Sequence, residues 1–402
     1  MKVLASPAHI FLNPAYGSEV SWAYNIMIRL AEDHGVKIYA MCGEATDLHL
    51  PQKIMLFKVG FSKGDLINRG LFILRNYNLA RRLVRGVDLV HHMFPFGFRT
   101  GFNPLAVFGH LREKPFIIGP IQYPQEYLDI SDYEWVSSKR GLKARLSYSL
   151  ENTIVKLISR PINILHEVTL KEAEALVFDS KKTLRLYDSL YPDLLRGKIL
   201  EVMPPGVETE TFKYVSPVKK NYFEIMTAGY LLRRKGIQYL IEAMPLILKE
   251  LKNVKLRIVG DGPFKHDLMR LVKRLSLDNK VFFEGLIPRS ALVSYYANCD
   301  IYVQPSLSET FPSTIREAMS VGRPVIATKV GFVEEHIING VNGFLVPKGD
   351  VKEIANKVLL LLSNESLRLK MGTKAREYAE RNFNWDEIVS MWYSVYSKLA
   401  GH

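Results

Sequence analysis

The sequence predicts an α/β protein built from two doubly wound parallel sheets, two Rossmann-like domains facing a cleft. Three observations carry that expectation. A chain of 402 residues exceeds one ordinary domain and suits two of roughly 200 each. Short apolar runs alternate with amphipathic helical stretches through both halves, the pattern of parallel sheets covered on both faces. A polar, Pro-rich segment, MPPGVETETFKYVSPVKKN, separates the halves.

In chain order, the first-half strands are expected at Lys2–Ala5, Val36–Ala40, Asp88–His91, Phe116–Gly119, Ala175–Phe178 and Ile199–Val202. The second-half strands follow at Phe223–Thr227, Lys255–Val259, Lys280–Phe283, Asp300–Gln304, Pro324–Ala327 and Gly343–Val346. Each half thus supplies about six strands, enough for a sheet of its own. Pro204-Pro205 cannot continue a strand, so the boundary is expected near 204–220, with a first domain over 1–204 and a second over 205–384. In open parallel sheets ligands bind outside the carboxyl ends of the strands. Loops at those ends are therefore where chemistry is sought.

Composition narrows the function classes. About half the residues are apolar and a quarter charged, as in soluble globular proteins. No apolar run reaches the roughly 18–20 residues that span a bilayer, and the opening MKVLASPAHIF lacks the apolar core of a signal peptide. The only cysteines, Cys42 and Cys299, fall one in each half, so neither a disulfide framework nor a zinc-ligand spacing is implied. A reducing, cytoplasmic location is expected, with both thiols in the core.

The net charge of +13 is spread over both halves and accompanies no nucleic-acid-binding motif, so nucleic acid is not expected as a partner. Its densest local excess is 137–160, where Lys139, Arg140, Lys143, Arg145, Lys156 and Arg160 stand against Glu151 alone. Leu142, Leu146, Leu150, Ile154 and Leu157 recur there at helical spacing. That pattern fits a basic amphipathic helix on an anionic membrane surface, at the inner face of a membrane. It fits equally a surface helix whose leucines face the core.

The most informative stretch is SLSETFPSTIREAMSVGRPVIATKVG, in which Glu309 and Glu317 stand eight residues apart around a predicted helix start. Pro312 suits a first turn, because its missing N–H would be unpaired there anyway. The free N–H groups of such a turn favour an anion. This arrangement suits a sugar–diphosphate–nucleoside, with Glu309 toward the sugar, the backbone of Thr310, Phe311, Pro312 and Ser313 toward the diphosphate, and Glu317 toward the ribose. A cap and a solvated first-turn charge would read alike in isolation.

Other strand-end loops add to it. Gly17, before the first long helix, would allow close approach of a diphosphate or acceptor. His91 and His92 leave a buried strand in opposite directions, so one of them should face the cleft. After the first strand of the second half come Arg233, Arg234 and Lys235, cations able to stabilise charge developing on a leaving diphosphate. Gly260 and Asp261 form a tight turn open to a nucleotide, and the loop holding Ile287 offers an apolar edge and backbone groups to a base.

These motifs together resemble glycosyltransferase family 4, retaining transferases with the two-domain GT-B fold. The resemblance rests on Gly229…Lys235-Gly236, Val259-Gly260-Asp261-Gly262-Pro263, Gln304-Pro305-Ser306 with Glu309…Glu317-Ala318-Met319, Gly322-Arg323-Pro324-Val325-Ile326-Ala327-Thr328, Glu335 and Asn342-Gly343-Phe344-Leu345-Val346-Pro347. It is dense in the second half and patchy in the first, resting there on Gly17-Ser18-Glu19 and His91-His92. It implies sugar transfer from a nucleoside diphosphate with retention, with no metal or other cofactor, to a glycan, glycolipid or lipid-linked acceptor. Lys235 would bind the diphosphate, and Glu309, Lys235 and the histidine pair would carry the chemistry. It also implies a last helix, 385–402, that crosses back to the first domain. Two positions depart from the family pattern. Tyr230 stands where the family has Arg, a charge that Arg233 is expected to supply, and Gly331-Phe332 stands for the usual Gly-Gly. A GT-B subunit without catalysis and a nucleotide-sugar epimerase are the alternatives.

Overall fold

The computed structural model describes residues 1–12, 19–45, 50–60, 66–93, 101–123 and 161–401. They divide into two compact units, the first running to Pro205 and including the chain from Trp385 onward, the second spanning Gly206–Asn384.

The first unit holds a sheet of seven strands, β1 (Lys2–Leu12), β2 (Lys37–Ala45), β3 (Ile54–Lys58), β4 (Leu89–His92), β5 (Phe116–Ile121), β6 (Ala175–Phe178) and β7 (Ile199–Val202). They are ordered β3-β2-β1-β4-β5-β6-β7, and every pairing is parallel. All residues of β4, β5 and β6 are buried, as expected where helices cover both faces. Two features differ from the sequence reading. Strand β3 is an added edge strand in which only Ile54 is buried, so its apolar signal is weak. Strand β1 continues past Ala5 because pairing with β2 resumes at His9 after an irregularity.

The last helix, Trp385–Ala400, buries Trp385, Ile388, Val389, Trp392, Val395 and Tyr396. That three- and four-residue spacing makes one apolar stripe, and the stripe joins Val3, Ala5, Leu89, Ile117 and Val177 in the first unit's core.

The second unit holds β8 (Phe223–Ala228), β9 (Val254–Val259), β10 (Val281–Gly285), β11 (Ile301–Gln304), β12 (Val325–Thr328) and β13 (Gly343–Val346). Their order is β10-β9-β8-β11-β12-β13, again all parallel. The helix Ile237–Glu250 buries Ile237, Leu240, Ile241, Met244 and Ile247 against this sheet, each contributing about 1.5–3 kcal/mol. Strand order reverses between β1 and β4 in one sheet and between β8 and β11 in the other. Such switch points leave a crevice at the strands' carboxyl ends. Cys42 and Cys299 are both buried, and burial pushes each thiol up to about 12. No helix among the described residues is long and apolar enough to cross a membrane.

Candidate functional site

The switch point of the second sheet gathers the acidic and basic residues singled out above. The segment after β8 and the loop after β11 lie against each other. Gly236 has φ +68°, and a Cβ built there would stand 1.8 Å from the Pro305 carbonyl oxygen, so only glycine allows the approach. Leu307 N–H donates to the Arg234 carbonyl at 2.7 Å. Arg234 Nη1 in turn donates to the Ser308 carbonyl at 3.0 Å and to Glu309 Oε1 at 2.6 Å. Lys235 Nζ meets the same Oε1. Glu309 is buried, and the two cations hold its carboxylate through one oxygen. Oε2 accepts no hydrogen bond among the described residues, which leaves it available to a hydroxyl donor.

Pro312 leads from this loop into the helix Ser313–Ser320, whose N-terminus has no side-chain cap. One turn inside, the buried Glu317 accepts from Arg289 Nη1 at 3.0 Å and from the Tyr296 hydroxyl at 2.9 Å. Burial and the Glu317 charge hold the Tyr296 hydroxyl well above its ordinary pKa, so it stays a donor. Below the loop, Gln304 accepts from Tyr302 at 2.7 Å and from Thr314 at 3.0 Å and donates to Ser306 at 2.8 Å. This network ties the end of β11 to the first turn of the helix.

The glycine turn after β9 joins the same edge. Gly229 N–H donates to Val259 O at 3.0 Å, Leu231 N–H to Asp261 O at 2.9 Å, and Gly260 N–H to Gly285 O at 2.7 Å. Gly260 therefore sits between the segments carrying Tyr230 and Ile287. Asp261 accepts from Gly262 N–H at 2.7 Å and from Lys265 at 3.1 Å, which fits a turn-forming residue. Tyr230 is 58 % exposed.

Three sequence expectations need restating. Arg233 is exposed and its side chain touches no partner among the described residues; Arg234 is the arginine on Glu309. His91 is wholly buried, with both ring nitrogens occupied, by Tyr396 at 2.6 Å and the Gly119 carbonyl at 3.0 Å. It packs the first domain and presents no nitrogen to a ligand. His92 is also buried, its Nδ1 3.3 Å from Asn103 Nδ2. Gly17 and the basic stretch 137–160 lie outside the described residues.

Sequence reading missed Arg289, Tyr296 and Arg316. Arg289 and Tyr296 stand 28 and 21 residues before Glu317, a distance that no local pattern bridges. Arg316 did carry a signal, since it interrupts the buried run Ile315, Ala318 and Met319.

Comparison with known proteins bears on the fold and on the second half of the chain. Residues 208–378 match the family model of glycosyl transferases group 1. An uncharacterized glycosyltransferase of Methanocaldococcus jannaschii is 26% identical over 276 residues, 66% of each chain. The chain spans less of two further curated relatives, 42% and 45% of their length. Sucrose-phosphate synthase from Thermosynechococcus elongatus superimposes with a TM-score of 0.70 at 20% identity, covering 99% of this chain and 98% of that one. Anabaena HepE, solved with UDP-glucose, gives a TM-score of 0.64 at 18% identity, covering 99% of this chain and 100% of that one. The chain therefore has the GT-B fold, and its residues 208–378 carry the match to glycosyl transferases group 1.

Proposed function

We propose that the protein is a glycosyltransferase that moves a sugar from a UDP- or GDP-linked donor to a glycan, glycolipid or lipid-linked acceptor. The reading includes retention at the anomeric carbon and no requirement for a metal ion. The observation that carries it is the Glu309 carboxylate, held through Oε1 by Arg234 and Lys235 at the β8/β11 switch point, directly ahead of an uncapped helix.

In this reading Glu309 Oε2 accepts from a donor-sugar hydroxyl, and Glu317 Oε1 and Oε2 orient the ribose. Lys235 and Arg234 stabilise the leaving diphosphate as the bond from C1 to its oxygen breaks. The acceptor oxygen bonds to C1 on the same face and passes its proton to the departing phosphate oxygen. Two cations paired with the Glu309 carboxylate lower the nucleophilicity of both its oxygens, Oε2 included, which favours this route over a covalent intermediate on Glu309.

The test is to incubate the chain with UDP- and GDP-sugars and oligosaccharide or lipid-linked acceptors. Products are read by mass spectrometry, and the new anomeric centre by NMR, with and without EDTA. Donor turnover that requires acceptor supports transfer, and an inverted product removes the retaining assignment. Tyr230 in place of arginine favours a second reading, a subunit without catalysis. Donor binding with no turnover under any condition would establish that one.

A further inference from the structure

Arg316 is 2 % exposed, and its Nε and Nη1 atoms are buried with no hydrogen-bond partner. Its guanidinium lies over the Phe311 ring, 5.4 Å from the centroid. Helical side chains lean toward the helix N-terminus, and Phe311 stands just ahead of the eight-residue helix Ser313–Ser320. The guanidinium thus runs back along the first turn. That turn has Pro312 at its N-cap and no side-chain cap. The N–H groups of Ser313 and Thr314 donate no hydrogen bond among the described residues.

Burial lowers the Arg316 pKa to about 9, with Glu317 opposing the shift and Arg289 adding to it, so the group stays charged at neutral pH. A buried cation without hydrogen-bond partners costs several kcal/mol; the Phe311 ring and the Glu317 charge offset part of that, while Nε and Nη1 have no acceptor among the described residues. The surrounding charges show the same surplus. Arg234 and Lys235 share Glu309, while Arg289 shares Glu317 with Arg316 close by. Four cations face two carboxylates. A sugar-linked diphosphate, with one negative charge on each phosphate, balances that excess.

We infer that Arg316 is a binding residue for the diphosphate of a nucleoside-diphosphate ligand, completing an anion site with the uncapped turn beside it. The inference rests on the donor reading above and adds to it a residue and a charge requirement.

The test is calorimetric titration of UDP, GDP, ADP, their nucleosides and inorganic pyrophosphate into the unaltered chain, Arg316→Leu and Arg316→Lys. Thermal melts of each ligand-free protein accompany the titrations. Arg316→Leu should weaken the diphosphate that the unaltered chain binds by about tenfold or more, the size of a charge-assisted contact. Nucleoside affinity should be unchanged, and Arg316→Lys should lose less. Ligand-free Arg316→Leu should melt higher than the parent, because an unpaired buried charge is replaced by an apolar side chain. Unchanged diphosphate affinity in Arg316→Leu, or a lower melting temperature with Arg316→Lys unaffected in binding, overturns the inference and leaves the donor reading standing. If the unaltered chain binds none of the diphosphates, both fall.

Discussion

The Tyr396 hydroxyl donates to His91 Nδ1 at 2.6 Å, joining strand β4 to the last helix of the chain. The other ring nitrogen, Nε2, lies 3.0 Å from the Gly119 carbonyl. A carbonyl can only accept, so Nε2 carries the proton and Nδ1 takes the hydroxyl. Trp392 packs 4.8 Å from the imidazole. The pair is a neutral, fully satisfied polar contact inside an apolar core.

Acid should therefore destabilise the first domain. Burial lowers the pKa of His91 and of His92 from 6.5 to about 3. Below pH 6.5 the unfolded chain takes up protons that the folded chain refuses. Stability is thus fully present above that pH and falls as pH drops toward 3. Each imidazole contributes a loss of about 1.4 kcal/mol per pH unit in that window. Urea melts at pH 7.5 and 5.5 read the slope, and His91→Asn should flatten it while lowering stability at pH 7.5 by about 1–3 kcal/mol. A slope unchanged in His91→Asn removes His91 from the account.

At the candidate site the two neighbouring arginines should separate. Arg234 donates to Glu309, whereas Arg233 is exposed. Arg233→Ala is expected to change turnover by less than about threefold, since surface substitutions move free energies by about 0.5 kcal/mol. Arg234→Ala and Glu309→Gln should each lower kcat about a hundredfold or more, the scale of losing one preorganised charge contact. Steady-state kinetics on proteins with matched circular dichroism make the comparison. Equal losses at Arg233 and Arg234 would mean that the Arg234–Glu309 contact is not the one that matters.

Much of this was legible in the sequence because the signals were local. The strand runs, the Pro204-Pro205 break and the glutamate pair all lie within short windows, and both sheets follow from them. What escaped depended on contacts between distant segments. His91-His92 reads as a strand-end pair, yet the partner that fixes His91 is Tyr396, far along the chain. Arg233 and Arg234 are indistinguishable as letters. The bond from Leu307 N–H to the Arg234 carbonyl and those from Arg234 Nη1 to Ser308 and Glu309 set Arg234, and not Arg233, against the Glu309 loop. Strand β3 escaped for another reason: an edge strand with one buried residue carries little apolar pattern.

Glu317 should act on affinity and stability together. Removing its carboxylate leaves the buried Tyr296 hydroxyl without its acceptor and Arg289 without its counter-charge. Glu317→Ala is expected to cost about 1–3 kcal/mol of stability and to weaken nucleotide binding, with a smaller effect on kcat than Glu309→Gln. Glu317→Gln keeps an acceptor for Tyr296 and should recover most of the stability without restoring affinity. Recovery of both together would place Glu317 in the scaffold alone.

Gly331 offers the sharpest backbone test. It stands at φ +53°, and a Cβ built there would lie 2.1 Å from the Thr310 carbonyl oxygen and 2.2 Å from that of Glu309. Phe332 N–H donates to the Thr310 carbonyl at 3.1 Å, and the Phe332 ring packs on Phe311 at 5.7 Å, so the two loops cannot part without breaking both contacts. Gly331→Ala adds the left-handed backbone penalty of about 1 kcal/mol to a collision with main-chain atoms that have no rotamer to escape into. The expected result is a loss of more than about 2 kcal/mol in chemical denaturation, with kcat lowered through displacement of Glu309 even at temperatures where the protein stays folded. Phe332→Leu, which keeps the backbone, should retain most of the activity. Full activity in Gly331→Ala would show that the Glu309 loop tolerates movement that the geometry of the Arg234 and Lys235 contacts should forbid.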